Sequence, residues 1–353
     1  MKFYTLLFSI CFFNFCCNPP SEKINYSSPL ETPVEKMKGI SLVAPARPFT
    51  NNPMEPLNTI GVDWITVMPF AFSPVGEPQV HFNSSRQWWG ERPEGVIETV
   101  RLAKESNIKV IIKPQVWMGN GWVGDMTFDK EEDWKKWESE YTDFIMTFAK
   151  VADSMDVEVL CIGTEFKLAV QEREEYWRGL IRAIKKVYDG KLTYASNWDE
   201  YPLVPFWDEL DFVGVNTYFP LVESTTPTVE ELKKAWQPIL KKLRRFHQKT
   251  GKPIVFTEYG YMSIDGCAHK NWELEHKRTE IPVNQQAQAN AIEAVFEVFW
   301  KEDWWGGGFL WKWYPNYQGE GQGRRAKFRA ADYTPQGKMA EEVLKKWFLD
   351  ESK

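Results

Sequence analysis

A single parallel (β/α)8 TIM barrel is the fold class predicted for this 353-residue chain, on three observations. Eight short runs are rich in apolar and β-branched residues, segments of helical periodicity separate most of them, and no shift in composition marks a second domain. The first run, 38–44, carries Ile40, Leu42 and Val43. The second, 64–70, opens Trp64-Ile65-Thr66-Val67 and follows Gly61. Pro93 suits a first helical turn and starts a helix over 93–106. The third run, 109–117, holds Val110-Ile111-Ile112 and ends at Trp117. A long helix over 129–154 follows, with Trp134, Trp137, Tyr141, Phe144, Ile145 and Phe148 at helical spacing.

The fourth run, 157–166, ends Gly163-Thr164-Glu165-Phe166, and a helix over 172–188 closes at Asp189-Gly190. The fifth run, 191–198, passes through a short proline-bearing link to the sixth, 211–218. Thr228 and Glu231 form a capping box opening a helix over 228–249. The seventh run, 252–261, ends Glu258-Tyr259-Gly260-Tyr261. A helix over 284–300, an eighth run at 306–314 and a closing helix at 337–348 complete the barrel. Gly306-Gly307-Gly308 precedes a strand rather than following one, so it offers no phosphate cradle.

The front of the chain reads differently. An apolar stretch from Phe3 to Phe15 is too short to span a membrane and resembles the core of a signal peptide. Cys16-Cys17 follows directly, as in a bacterial lipoprotein signal; Cys17 is the preferred lipidation site and Cys16 its rival. The expected organisation is a signal peptide and lipidation site at 1–17, a polar tether at 18–36 and one catalytic domain at 37–350. That would make the protein a membrane-anchored lipoprotein, facing the periplasm or the cell exterior, with the lipid as its only membrane contact. Cys161 reads as a small buried hydrophobe, and two lone cysteines, Cys161 and Cys267, are weak grounds for a disulfide. With 4 scattered His and no CxxC pair, no metal or other cofactor is expected. A net charge of -6 without a basic run argues against nucleic acid as a partner.

In a parallel barrel the chemistry sits where strands end. Glu165 and Glu258 end the fourth and seventh runs, and a pair of strand-end carboxylates is what glycoside hydrolysis requires. Either glutamate alone would read as a surface or ion-pair residue. Trp117, Trp198, Trp311 and Trp313 end or approach strand ends, where flat rings can cover the C–H face of a pyranose. Trp311 and Trp313 share a face at a spacing of two, so packing in the barrel or on helices is the alternative. Gln115 and Asn197 suit hydroxyl contacts, with loop capping as the equal alternative. Arg47, after the first strand, is a candidate cation for Glu258. The helical tryptophans Trp134, Trp137 and Trp177 read as packing residues.

The segments GTEF at 163–166, SNWDE at 196–200, DFVGVNTYFPL at 211–221 and FTEYGY at 256–261 resemble glycoside hydrolase family 113, of clan A. The resemblance covers roughly residues 38–348. It implies a retaining β-mannanase with Glu165 as general acid/base, Glu258 as nucleophile and Tyr218 as the donor to the nucleophile. One departure is Thr164, where many clan members place an asparagine that binds the sugar 2-hydroxyl. The expected partner is a polysaccharide or oligosaccharide, β-1,4-linked mannan first. The alternatives are β-glucan, exo-action as a β-mannosidase, or a non-catalytic surface glycan-binding lipoprotein.

Overall fold

A computed structural model of the chain describes residues 34–317 and 323–350. Cys16, Cys17, the signal-like stretch and most of the expected tether lie outside the described residues. The eight barrel strands are β1 Met37–Leu42, β2 Trp64–Val67, β3 Lys109–Ile112, β4 Val159–Thr164, β5 Lys191–Asn197, β6 Val213–Asn216, β7 Ile254–Tyr259 and β8 Trp305–Trp313. They close in sequence order, β8 pairing with β1, and all pairings are parallel. The (β/α)8 architecture follows.

Two of the expected strands are broken. The second and third runs each contain a proline, Pro69 and Pro114, which cannot donate to a ladder. Beyond those prolines the chain forms a separate two-stranded parallel sheet, Phe70–Phe72 with Gln115–Trp117. This outer sheet lifts Phe70, Gln115 and Trp117 above the mouth of the barrel.

The principal helices are α1 Pro93–Glu105, α2 Glu131–Ser154, α3 Glu174–Ile184, α4 Val229–Thr250, α5 Gln285–Phe299 and α6 Met339–Phe348. Only 3-10 turns join β5 to β6, Tyr201–Leu203 and Trp207–Glu209. The Thr228 hydroxyl accepts from the Glu231 N–H at 3.3 Å and the Glu231 carboxylate accepts from the Thr228 N–H at 2.8 Å. That reciprocal pair starts α4, and Gly251 at φ 68° ends it.

Along α2 the aromatic residues expected on one face are buried, and Trp137 stacks on Tyr141 at 4.6 Å. The cluster continues through Phe166 and Trp177 to Tyr194 and Phe206, so α2, α3 and the ends of β4 and β5 share one layer. Burying each such ring contributes roughly 1.5–3 kcal/mol. A second, smaller cluster of Trp64, Ile111, Val159, Cys161, Ala195, Phe212, Val255 and Phe309 fills the barrel interior. Cys161 is there as a small hydrophobe, and it and Cys267 are free buried thiols rather than a disulfide. Gly307 has φ +84°, and a Cβ there would meet the Met37 backbone at 2.4 Å. Only glycine lets β8 close onto β1.

Candidate active site

Glu258 lies within β7 and is 6% exposed. Its Oε1 is contacted by the ammonium of Lys113 and accepts from Gln115 Nε2 at 3.1 Å. Its Oε2 accepts from the Tyr218 hydroxyl at 2.8 Å. A carboxylate so surrounded has its charge met by one cation and two neutral donors. The cation is Lys113, not Arg47. Arg47 is exposed on the loop after β1, whereas Lys113, 1% exposed, directly follows β3 and is anchored by its N–H to the Val67 carbonyl at 2.8 Å. A lysine buried so completely needs a counter-charge, and Glu258 supplies it.

Glu165 follows β4 directly. Its backbone adopts φ 58°, the left-handed region that non-glycine residues enter at a cost of order 1–3 kcal/mol. Two hydrogen bonds hold it there: the Glu165 N–H to the Ala195 carbonyl at 2.9 Å, and the Phe166 N–H to the Tyr194 hydroxyl at 2.6 Å. The side chain leaves the strand direction and enters the cleft. Its Oε1 accepts from Asn216 Nδ2 at 2.8 Å and its Oε2 from Trp122 Nε1 at 3.1 Å. Burial first, then the charge of Glu258, pushes the Glu165 carboxyl above the usual glutamate range; Asn216, Trp122 and Lys113 act in the opposite direction.

The two carboxyls share the floor of a cleft with two lobes. One lobe, about 250 Å³, is walled by Phe70, Gln115, Trp117 and Met118; the other, about 760 Å³, by Asn197, Trp198, Tyr218, Trp272, Lys312 and Tyr333. Gly121, Trp122, Glu165, Glu258 and Trp311 border both. Of the residues expected to meet sugar, Gln115, Trp117, Asn197, Tyr218 and Trp311 line the cleft. Gln115 also bonds Glu258, and Asn197 also caps its own turn, its Oδ1 accepting from the Trp198 N–H at 2.9 Å.

Trp313 lines neither lobe. It is 3% exposed and packed in the main hydrophobic core. The expectation that it shares a face with Trp311 assumed unbroken alternation, but the β1–β8 register shifts between Ser41 and Leu42, which face Trp311 and Trp313. A bulge breaks the two-residue period, so only Trp311 reaches the cleft.

Lys113, Asn216, Trp122 and Trp272 are site residues that sequence reasoning missed. The signal for Lys113 was a lysine one position past Val110-Ile111-Ile112; for Asn216, a polar residue ending an apolar strand. Trp122 and Trp272 sit in loops whose paths only the folded chain defines.

Glu200 lies behind this floor, wholly buried, with Oε1 accepting from the Asn197 N–H at 2.5 Å and Oε2 without a partner among the described residues. Burial, with the charges of Glu165 and Asp199 adding, pushes its carboxyl up to about 8. The folded chain therefore keeps a proton that the unfolded chain releases above about pH 4.5. This contribution is fully present below that pH and is lost as pH rises through about 8. Glu200→Gln should flatten the fall of stability between these limits and raise stability near pH 8 by on the order of 2–3 kcal/mol, with little change near pH 5. Urea unfolding at both pH values checks this; parallel pH slopes for variant and parent would refute it.

Comparison with known proteins agrees with this geometry. The model of glycoside hydrolase family 113 matches residues 46–338. Among solved structures, the β-mannanase AaManA from Alicyclobacillus acidocaldarius superposes with a TM-score of 0.77 at 26% identity, covering 90% of this chain and 98% of that one. A family 113 β-1,4-mannanase superposes with a TM-score of 0.75 at 27% identity, covering 90% of this chain and all of the other. A Ruminococcus gnavus β-glucuronidase, at 15% identity, TM-score 0.59 and 90% and 50% coverage, shares the fold alone. No curated protein matches the chain in sequence. A closed parallel barrel, two glutamates at the ends of β4 and β7, and a family match spanning most of the chain agree, and the chain belongs to glycoside hydrolase family 113.

Proposed function

We propose that this glycoside hydrolase is a retaining endo-β-1,4-mannanase with Glu165 as general acid/base and Glu258 as nucleophile. The observation that carries this reading is the asymmetry of the two carboxyls on one cleft floor. Glu165 is pushed toward its protonated form, while Glu258 is held by a cation, an amide and a phenol. In the first step Glu258 attacks the anomeric carbon as Glu165 gives its proton to the departing glycosidic oxygen. In the second, Glu165 takes a proton from water, which attacks the same carbon and releases Glu258. Two inversions leave the β-configuration. Double displacement expects the carboxyls about 5–5.5 Å apart.

Mannose is favoured by the solved relatives, one a β-1,4-mannanase and the other a β-mannanase. Endo-action is favoured by the lobes running to either side of the glutamates. Aromatic walls of Trp117, Trp122, Trp198, Trp272 and Trp311 suit a neutral chain. The test is a panel of mannan, manno-oligosaccharides and β-glucan, with products followed by NMR from the first turnovers. Short β-configured manno-oligosaccharides, formed faster from longer substrates, are the expected result. Single mannose units from one end would replace endo by exo; turnover of β-glucan alone would overturn the substrate. Binding without turnover would leave a glycan-binding protein.

A diacyl anchor on Cys17, with outward placement on a membrane, completes the reading, on the strength of Cys16-Cys17 directly after a short apolar run. A diacylated cysteine provides the two chains that stable anchoring takes. Cys17→Ser should release the protein from membranes or leave it unprocessed. A mature N-terminus elsewhere and without lipid, read by mass spectrometry, would refute the anchor.

A further inference from the structure

The two oxygens of the Glu165 carboxyl are held by unlike donors. Asn216, bonded to Oε1, is 1% exposed, and its own Oδ1 accepts from the Thr257 hydroxyl at 2.8 Å. That donor is fixed from two adjacent strands. Trp122, bonded to Oε2, is 37% exposed and stands on the loop after the outer sheet, between Gly119, Gly121 and Gly124. A Cβ on Gly124 would sit 2.4 Å from the indole, so the ring lies directly over that glycine. Any side chain there would push the ring away. The Lys167 ammonium stands 5.9 Å from the same ring. Trp122 also borders both lobes of the cleft, beside the two glutamates. A glycan threaded through both lobes would place its scissile oxygen at that border.

We propose that Trp122 is a positioning residue for the acid/base: its indole N–H orients Oε2 of Glu165 toward the scissile oxygen and stabilises the carboxylate that must accept a proton in the second half of the reaction. This rests on the reading of Glu165 as acid/base. The chemistry needs such a donor because the two strongest influences on Glu165 pull the same way. Burial and Glu258 favour protonated Glu165, and buried Glu200 faces it from the β5 loop. Tyr218 and Tyr194 face it as neutral phenols, and Lys113 is already engaged by Glu258. An acid held protonated too firmly would serve the first step and fail as a base in the second. A hydrogen bond to an ionised acceptor is stronger than the same bond to a neutral one, so the indole N–H favours the base form. Asn216 does so at Oε1, and Trp122 does so at the oxygen nearer solvent.

The test is Trp122→Phe, which keeps an aromatic ring and removes the N–H, compared with Glu165→Gln and the parent. Each is assayed for kcat/KM against pH on manno-oligosaccharides and for kcat on an activated dinitrophenyl β-mannoside. Because departure of dinitrophenolate needs no acid, kcat there reports the second step. Trp122→Phe should move the basic limb of kcat/KM upward by roughly 0.5–1 pH unit and lower kcat on the activated substrate several-fold. Glu165→Gln should abolish the basic limb. An unmoved limb in Trp122→Phe overturns the proposal, whatever happens to KM, because a residue that only packs against sugar would change KM alone. Survival of the basic limb in Glu165→Gln would overturn the acid/base assignment itself. Should Trp122→Phe fold poorly, Gly124→Ala, which displaces the ring without altering it, must shift the limb in the same direction or the proposal fails.

Discussion

Replacing Glu258 with alanine should lower turnover by at least about 10⁴-fold and abolish the covalent intermediate, since the variant loses the carboxylate that attacks the anomeric carbon. Glu165→Ala should be equally damaging on manno-oligosaccharides but far milder on aryl glycosides, whose leaving groups depart without a proton. Azide separates the roles. In Glu165→Ala the intermediate still forms, and azide entering from the face of the absent base should yield a β-glycosyl azide. In Glu258→Ala azide can only replace the nucleophile, so its product should be the α-azide. NMR of the isolated azides decides. A β-azide from the Glu258 variant would show the assignments reversed.

Lys113→Met should cost about 10²–10³-fold in kcat/KM. The physical reason is the buried pair: Lys113 and Glu258 are 1% and 8% exposed in their side chains. Removing one partner of such a pair strands the other charge, at roughly 3–5 kcal/mol. Gln115 and Tyr218 remain as donors, but neither carries charge. Without its cation the Glu258 carboxylate is no longer held in one orientation for attack. Lys113→Arg keeps the charge but not the shape, and should fall between parent and methionine variant. Stopped-flow release of an aryl group, which isolates the first step, checks this. An undiminished rate in Lys113→Met would mean that the lysine serves the fold alone.

The strands and the helices that cover them were legible in sequence because their patterns are local. Val110-Ile111-Ile112 declares a buried strand, and Trp134, Trp137, Tyr141, Phe144 and Phe148 declare one helical face, without reference to anything distant. Strand boundaries were less legible where a proline intervened. The apolar pattern continues across Pro69 and Pro114, but the hydrogen-bond ladder does not. The glutamates could be found because in a parallel barrel the end of a strand is also an address. Tyr218 was placed by resemblance, and its hydroxyl does reach Glu258.

The composition, the eight strand runs and the positions of Glu165 and Glu258 were thus determined by the sequence alone. Which cation stands beside Glu258, which tryptophan reaches the cleft and what holds Glu165 were decided only by tertiary structure. Lys113 meets Glu258 across 145 residues, Asn216 meets Glu165 across 51, and a register shift buries Trp313 while leaving Trp311 in the cleft. Those pairings come from barrel closure. Closure brings distant strand ends within hydrogen-bond reach, and a single bulged residue reverses which face a side chain takes. Local pattern carries the face and the strand; only the closed barrel sets the neighbours, and the neighbours set how each glutamate is held.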